Sequence, residues 1–172
     1  MLLPPVTGRY PEGKGFMGQP VLSQEGGFYV LGLEVRTSAA LEADLATARI
    51  PGLWAQVYHD PRLEGLPRRL AKGKLFGVYH AYQGDENGAY SLLAGYQVPD
   101  LREVPAGLKG LAVPGGRYLV FTAEGELPGA LRQTWEAIQG YFARPDAPRR
   151  AFSYDYEIYE DLTRVSVYIA LR

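Results

Sequence analysis

The polar and apolar positions of the chain fall into short runs of two periodicities. Phe28 to Val35 (FYVLGLEV) is almost continuously apolar and predicts a central strand. The segment TSAALEADLATARI then has the composition of a loop leading into a helix, with Thr37, Ser38 and Asp44 as candidate N-caps. In Ile50 to Tyr58, the residues Leu53, Trp54, Val57 and Tyr58 recur at helical spacing, and Pro51 is tolerated near a helix start. Pro61 to Lys74 reads as a polar connection. Leu75 to Tyr82 and Ala89 to Val98 read as strands, and the turn-forming linker QGDENG makes them a hairpin. Asp100 to Leu111 reads as a connector. The order then repeats: a strand at Gly116–Ala123, an amphipathic helix at Pro128–Phe142, and strands at Phe152–Glu160 and Val165–Leu171. In that helix Leu131, Trp135, Ile138, Tyr141 and Phe142 mark one face.

The chain is therefore strand–helix–strand–strand, twice. Trp54 and Trp135 occupy corresponding places, 25 positions before Tyr79 and 24 before Tyr159 respectively. Two such units predict an α+β fold with one curved antiparallel sheet, two helices on one face and a central groove along the pseudo-twofold axis. Residues 1–16 read as an extended arm rich in Pro and Gly. Residues 17–172 read as a single domain with pseudo-repeats at about 17–99 and 112–172.

Composition narrows the functional classes. The chain has 172 residues, 47% of them apolar and 22% charged, which suits one globular domain. The net charge is −1, and the largest basic cluster (Arg68, Arg69, Lys72, Lys74) is too small for a nucleic-acid footprint, so no direct nucleic-acid binding is expected. The absence of cysteine removes disulfides, thiolate nucleophiles and thiolate metal sites. His59 and His80 are too isolated for a metal site, and no cofactor motif is present. No membrane-spanning run is present, and a cytoplasmic location is expected. The 13 tyrosines stand out, because a ring with a polar tip suits surfaces that are apolar yet need hydrogen bonds.

The stretch FSYDYEIY, Phe152 to Tyr159, concentrates the candidate chemistry. Alternation puts Asp155, Glu157 and Tyr159 on one face and Tyr154, Tyr156 and Ile158 on the other. If the first face is solvated, Glu157 is an ordinary surface acid. If it lines an aromatic cleft, Glu157 is a desolvated anion that favours a cation or a proton. Asp155, nearer the strand start, is expected to face solvent. Tyr118 and Phe121 lie on opposite faces of their strand, and His80 opposes Tyr79.

The runs LGLEVRTS, IPGLW, GVYHAY, GAYSLLAGYQV, GGRYLVFTAEG, TWEAI, YDYEIY and VSVYIAL, in this order and spacing, resemble the GyrI-like effector-binding family over residues 17–172. That family includes drug-binding domains attached to AraC- and MerR-type regulators and integron cassette proteins that bind cationic drugs. The resemblance implies the duplicated fold and places the acid of the penultimate-strand motif, here Glu157, in the central groove. Matching aromatic candidates are Trp54, Tyr79, Tyr96, Trp135 and Tyr159.

Three functions follow as expectations. The first is a stand-alone binding protein for a cationic or amphipathic aromatic small molecule, related to transcription regulation and working with a separate regulator or protein partner. The second is a hydrolase of reactive, cyclopropane-type electrophiles, as some relatives are, with Glu157 as its catalytic acid–base. The third is an interaction module like the family's gyrase-inhibiting member. Turnover separates the second from the first, and a co-purifying protein lost on removing residues 1–16 marks the third.

Overall fold

The structure, a computed structural model, describes residues 19–172; the sequence-predicted arm, residues 1–16, lies outside that range. Its elements are β1 (Val21–Glu25), β2 (Phe28–Ser38), α1 (Ala39–Glu42), α2 (Ile50–His59), α3 (Pro61–Glu64), β3 (Leu75–His80), β4 (Ala89–Val98), β5 (Lys109–Val113), β6 (Gly116–Glu124), α4 (Gly129–Phe142), β7 (Asp155–Asp161) and β8 (Arg164–Ala170). The strands form one antiparallel sheet in the order β1-β6-β8-β7-β3-β4-β2-β5. The two strand–helix–strand–strand units, β2-α2-β3-β4 and β6-α4-β7-β8, meet at the β3–β7 pair. Each half of the sheet mirrors the other about that seam.

The edges are exchanged between the halves. β1 runs into β2 in sequence but pairs with β6, and β5 runs into β6 but pairs with β2. In a flat sheet β1 and β2 would lie about 29 Å apart, six strand spacings, yet Gly26 and Gly27 reach only about 10 Å. The sheet must therefore curl until its two ends meet. They meet where a Cβ on Gly115 would lie 2.8 Å from the Glu25 carbonyl and 3.1 Å from the Gly27 nitrogen.

Both long helices pack on one face. α2 buries Ile50, Leu53 and Val57, and α4 buries Leu131, Thr134, Trp135 and Ile138. Under them lies the larger core, with Tyr79, Tyr90, Leu92, Phe121 and Val167 from the sheet. The helix-free face carries its own cluster, including Val30, Phe76, Tyr118 and Tyr156. Tyr118 and Phe121 thus point to opposite faces, as alternation requires.

Local differences from the sequence reading have simple causes. The seventh strand begins at Asp155 rather than Phe152, because Phe152 takes a left-handed φ of 51°. The Asp100–Leu111 connector ends in edge strand β5, and β1 was not anticipated at all. Of the candidate caps, Ser38 accepts from the Leu41 N–H at the start of α1. Asp44 closes a turn on Ala46, and the Thr37 hydroxyl donates to Glu42 instead of capping. Glu42 in turn accepts from the Arg49 N–H (2.9 Å) and the Ile50 N–H (3.3 Å), satisfying donors at the start of α2.

Candidate ligand-binding site

At the seam between the halves, Glu157 of β7 pairs with Gly77 of β3. By the same register Tyr159 is the twofold counterpart of Tyr79. The single carboxylate serves both. Tyr79 Oη and Trp135 Nε1 each donate to Glu157 Oε1 at 2.8 Å, and Tyr159 Oη donates to Oε2 at 2.9 Å. Glu157 is fully buried. Its counterpart is a glycine for a spatial reason. A Cβ on Gly77 would lie 3.3 Å from Glu157 Oε2 and 3.3 Å from Trp54 Cζ2, so the empty position admits the acid and the indole together. Burial, with the Glu157 charge adding to it, holds the Tyr79 and Tyr159 phenols well above their usual range. Both hydroxyls therefore stay protonated and act as donors.

Above this layer opens a groove of about 770 Å³ between α2, the start of α4 and the β7–β8 turn. Its walls include Trp54, Tyr58, Tyr96, Leu131 and Tyr159, with Lys72, Lys74, Glu160 and Asp161 around the mouth. Trp54 meets Tyr159 edge to face, with ring centroids 5.0 Å apart, and the two form its aromatic floor. Tyr96 already carries a cation of the protein itself, the Arg69 guanidinium 4.7 Å from its ring centre.

The sequence candidates thus occupy two layers. Trp54, Tyr96 and Tyr159 line the groove, whereas Tyr79, Trp135 and Glu157 lie beneath it. Tyr159 belongs to both, and Tyr96 makes no hydrogen bond to the acid. Gly77 was not singled out from sequence, and Tyr58 and Leu131 were read there only as helix-face residues. Gly77 carried a readable signal, since a glycine inside a strand marks a close approach.

Asp155 corrects the expectation that it faces solvent. It is fully buried, accepting from Tyr82 Oη at 2.6 Å, Arg150 Nη2 at 2.8 Å and the Ala170 N–H at 2.8 Å. The Arg150 guanidinium lies 4.4 Å from the centre of the Phe152 ring. These partners make Asp155 a tie between β7, β8 and the chain before β7. Among the described residues, no three of His, Asp and Glu come together to hold a metal ion, and no helix is long and apolar enough to cross a membrane.

A duplicated sheet with an aromatic groove on its twofold axis defines a small-molecule-binding domain. The chain belongs to the integron-associated effector-binding protein family, Cass2, whose model matches residues 22–171. It is similar to the integron cassette protein VCH_CASS2 from the mobile metagenome of Vibrio cholerae, at 31% identity over 94% of this chain and 100% of that one, with a TM-score of 0.80. Two structures share the fold at 16% identity, each over 90% of this chain. One is SAV2435 bound to tetraphenylphosphonium (94% of that chain, TM-score 0.72). The other is a transcription regulation protein from Staphylococcus aureus MU50 (98% of that chain, TM-score 0.70). No curated protein matches the chain.

Proposed function

We propose that this protein binds a flat, aromatic, positively charged effector in the groove, as the sensing part of a regulatory response. One observation carries the reading: a buried carboxylate lies directly under the groove's aromatic floor, hydrogen-bonded to it through Tyr159. A cation over an aromatic face gains ~0.5–2 kcal/mol. The Glu157 carboxylate draws on the Tyr159 hydroxyl and makes that ring a better cation partner. Its charge also acts through a low-dielectric layer with little water to screen it. Trp54 and Tyr96 supply further faces, and the apolar walls accept varied ring systems without directional demands.

The test is a titration with N-hexylquinolinium, neutral hexylquinoline and quinoline carboxylate. The cation should raise the melting temperature of the wild type most, by mass action on the folded state. Glu157→Gln should weaken the cation by ~1–3 kcal/mol and leave the neutral compound unchanged. Equal affinity of wild type and Glu157→Gln for the cation would sink the ionic role of Glu157.

A further inference from the structure

On the helix-free face, behind the groove, lies a smaller cavity of about 260 Å³. Phe28, Phe76, Tyr156 and Tyr168 wall it, and Glu25 stands at its edge. Lys74 and Glu160 line this cavity and the groove alike. They are its partition.

Glu160 reaches both faces because of a local irregularity. The β7–β8 register slips between Tyr159↔Val165 and Asp161↔Arg164, leaving Glu160 as the extra residue of a bulge. Alternation assigns it to the helix-free face with Tyr156 and Ile158, and the bulge turns it toward the groove mouth as well. One of its carboxylate oxygens accepts from Ser166 Oγ at 3.0 Å, and the other pairs with the Lys74 ammonium. Lys74 is delivered by an unusual turn. Ala71, Lys72 and Gly73 all have left-handed φ (51°, 55° and 69°), a costly conformation for the two that carry a Cβ. The turn is anchored by the Leu70 N–H on the Gln97 carbonyl at 2.8 Å. An aromatic pocket with a carboxylate is the chemistry of a cation site, and here that carboxylate is already paired with a primary ammonium on an alkyl stem at the cavity wall.

We infer that the small cavity and Glu160 form a second cation subsite continuous with the groove, with its carboxylate taken up by the protein's own Lys74 ammonium. Lys74 thereby restricts the groove to singly charged effectors. This rests on the groove reading above. Removing the lysine charge opens the subsite to an ammonium borne by the ligand.

The experiment uses the full chain and two matched probes. N-aminopentylquinolinium carries a lysine-like tail, and N-hexylquinolinium has a tail of the same length without the second charge. Wild type should show no preference for the aminopentyl probe. Lys74→Met keeps the apolar stem, and in it the aminopentyl probe should bind ~10-fold more tightly than the hexyl probe. Adding Glu160→Gln to Lys74→Met should abolish that preference. Equal binding of both probes to Lys74→Met overturns the subsite, as does a preference that survives Glu160→Gln. The groove reading is tested separately by hexylquinolinium on wild type and on Trp54→Ala. Its failure there, with the Glu160-dependent preference intact, would leave the subsite standing alone.

Discussion

Among the described residues, the buried Glu157 carboxylate accepts from three donors, so its two obvious replacements should behave differently. A glutamine can keep its oxygen toward Tyr79 and Trp135 and turn its amide toward Tyr159, whose hydroxyl oxygen then accepts. Folding stability of Glu157→Gln should stay within about 1 kcal/mol of wild type, since one hydrogen bond is rearranged and a charge no longer has to be desolvated. Glu157→Ala removes the acceptor of two buried donors, Tyr79 and Trp135, at about 1–3 kcal/mol each, and of the half-buried Tyr159 hydroxyl, and leaves a void. Urea unfolding of the two variants checks this, and a glutamine variant as unstable as the alanine one would make the acid a structural fixture. At this scale the sequence was readable where alternation alone decides. Glu157 and Tyr159 share a face, and they do meet. Asp155 was misread because two of its partners, Tyr82 and the Ala170 amide, come from distant parts of the chain.

The helices were legible for the same kind of reason. The spacing of Leu53 and Val57, and that of Leu131, Trp135 and Ile138, reports burial that tertiary packing then realises. Edge strands β1 (VLSQE) and β5 (KGLAV) were not legible, because each is short, half-exposed and defined by a partner from the other half of the chain. The device that starts α2 was equally hidden, since Glu42 acts from seven and eight residues upstream rather than from a local cap position. Its loss should be felt at the groove. Glu42→Ala is expected to cost about 1–2 kcal/mol of stability, in the range of a lost helix cap. Because α2 carries Trp54 and Tyr58, affinity for N-hexylquinolinium should fall in parallel. Helix amides of α2 exchanging no faster than in wild type would show that the carboxylate does not hold that end.

Curl is the property of the whole molecule that makes the groove. A flat sheet would set the two helices side by side over a plane. The exchanged edges instead draw the ends of the sheet together, and the seam carrying Glu157 becomes the axis of a trough. That closure depends on contact at one crossing, where Gly115 backs onto Glu25 and Gly27 with no room for a side chain. Gly115 does not have a positive φ, so alanine there carries no conformational penalty, and its effect isolates the clash. Gly115→Ala should destabilise the fold by about 1–3 kcal/mol, the range for overpacking a tight contact. Gly52, inside α2 with open space around its Cβ position, is the matched control. Gly52→Ala should stabilise by about 0.5–1 kcal/mol, because alanine has less backbone freedom to lose in a helix. Thermal unfolding of both variants, read by near- and far-ultraviolet circular dichroism, decides the matter. Coincident transitions lowered only in Gly115→Ala would show that the crossing supports the sheet as one cooperative unit. A Gly115→Ala protein as stable as wild type would mean that the two ends are merely neighbours, with the curl held by the seam alone.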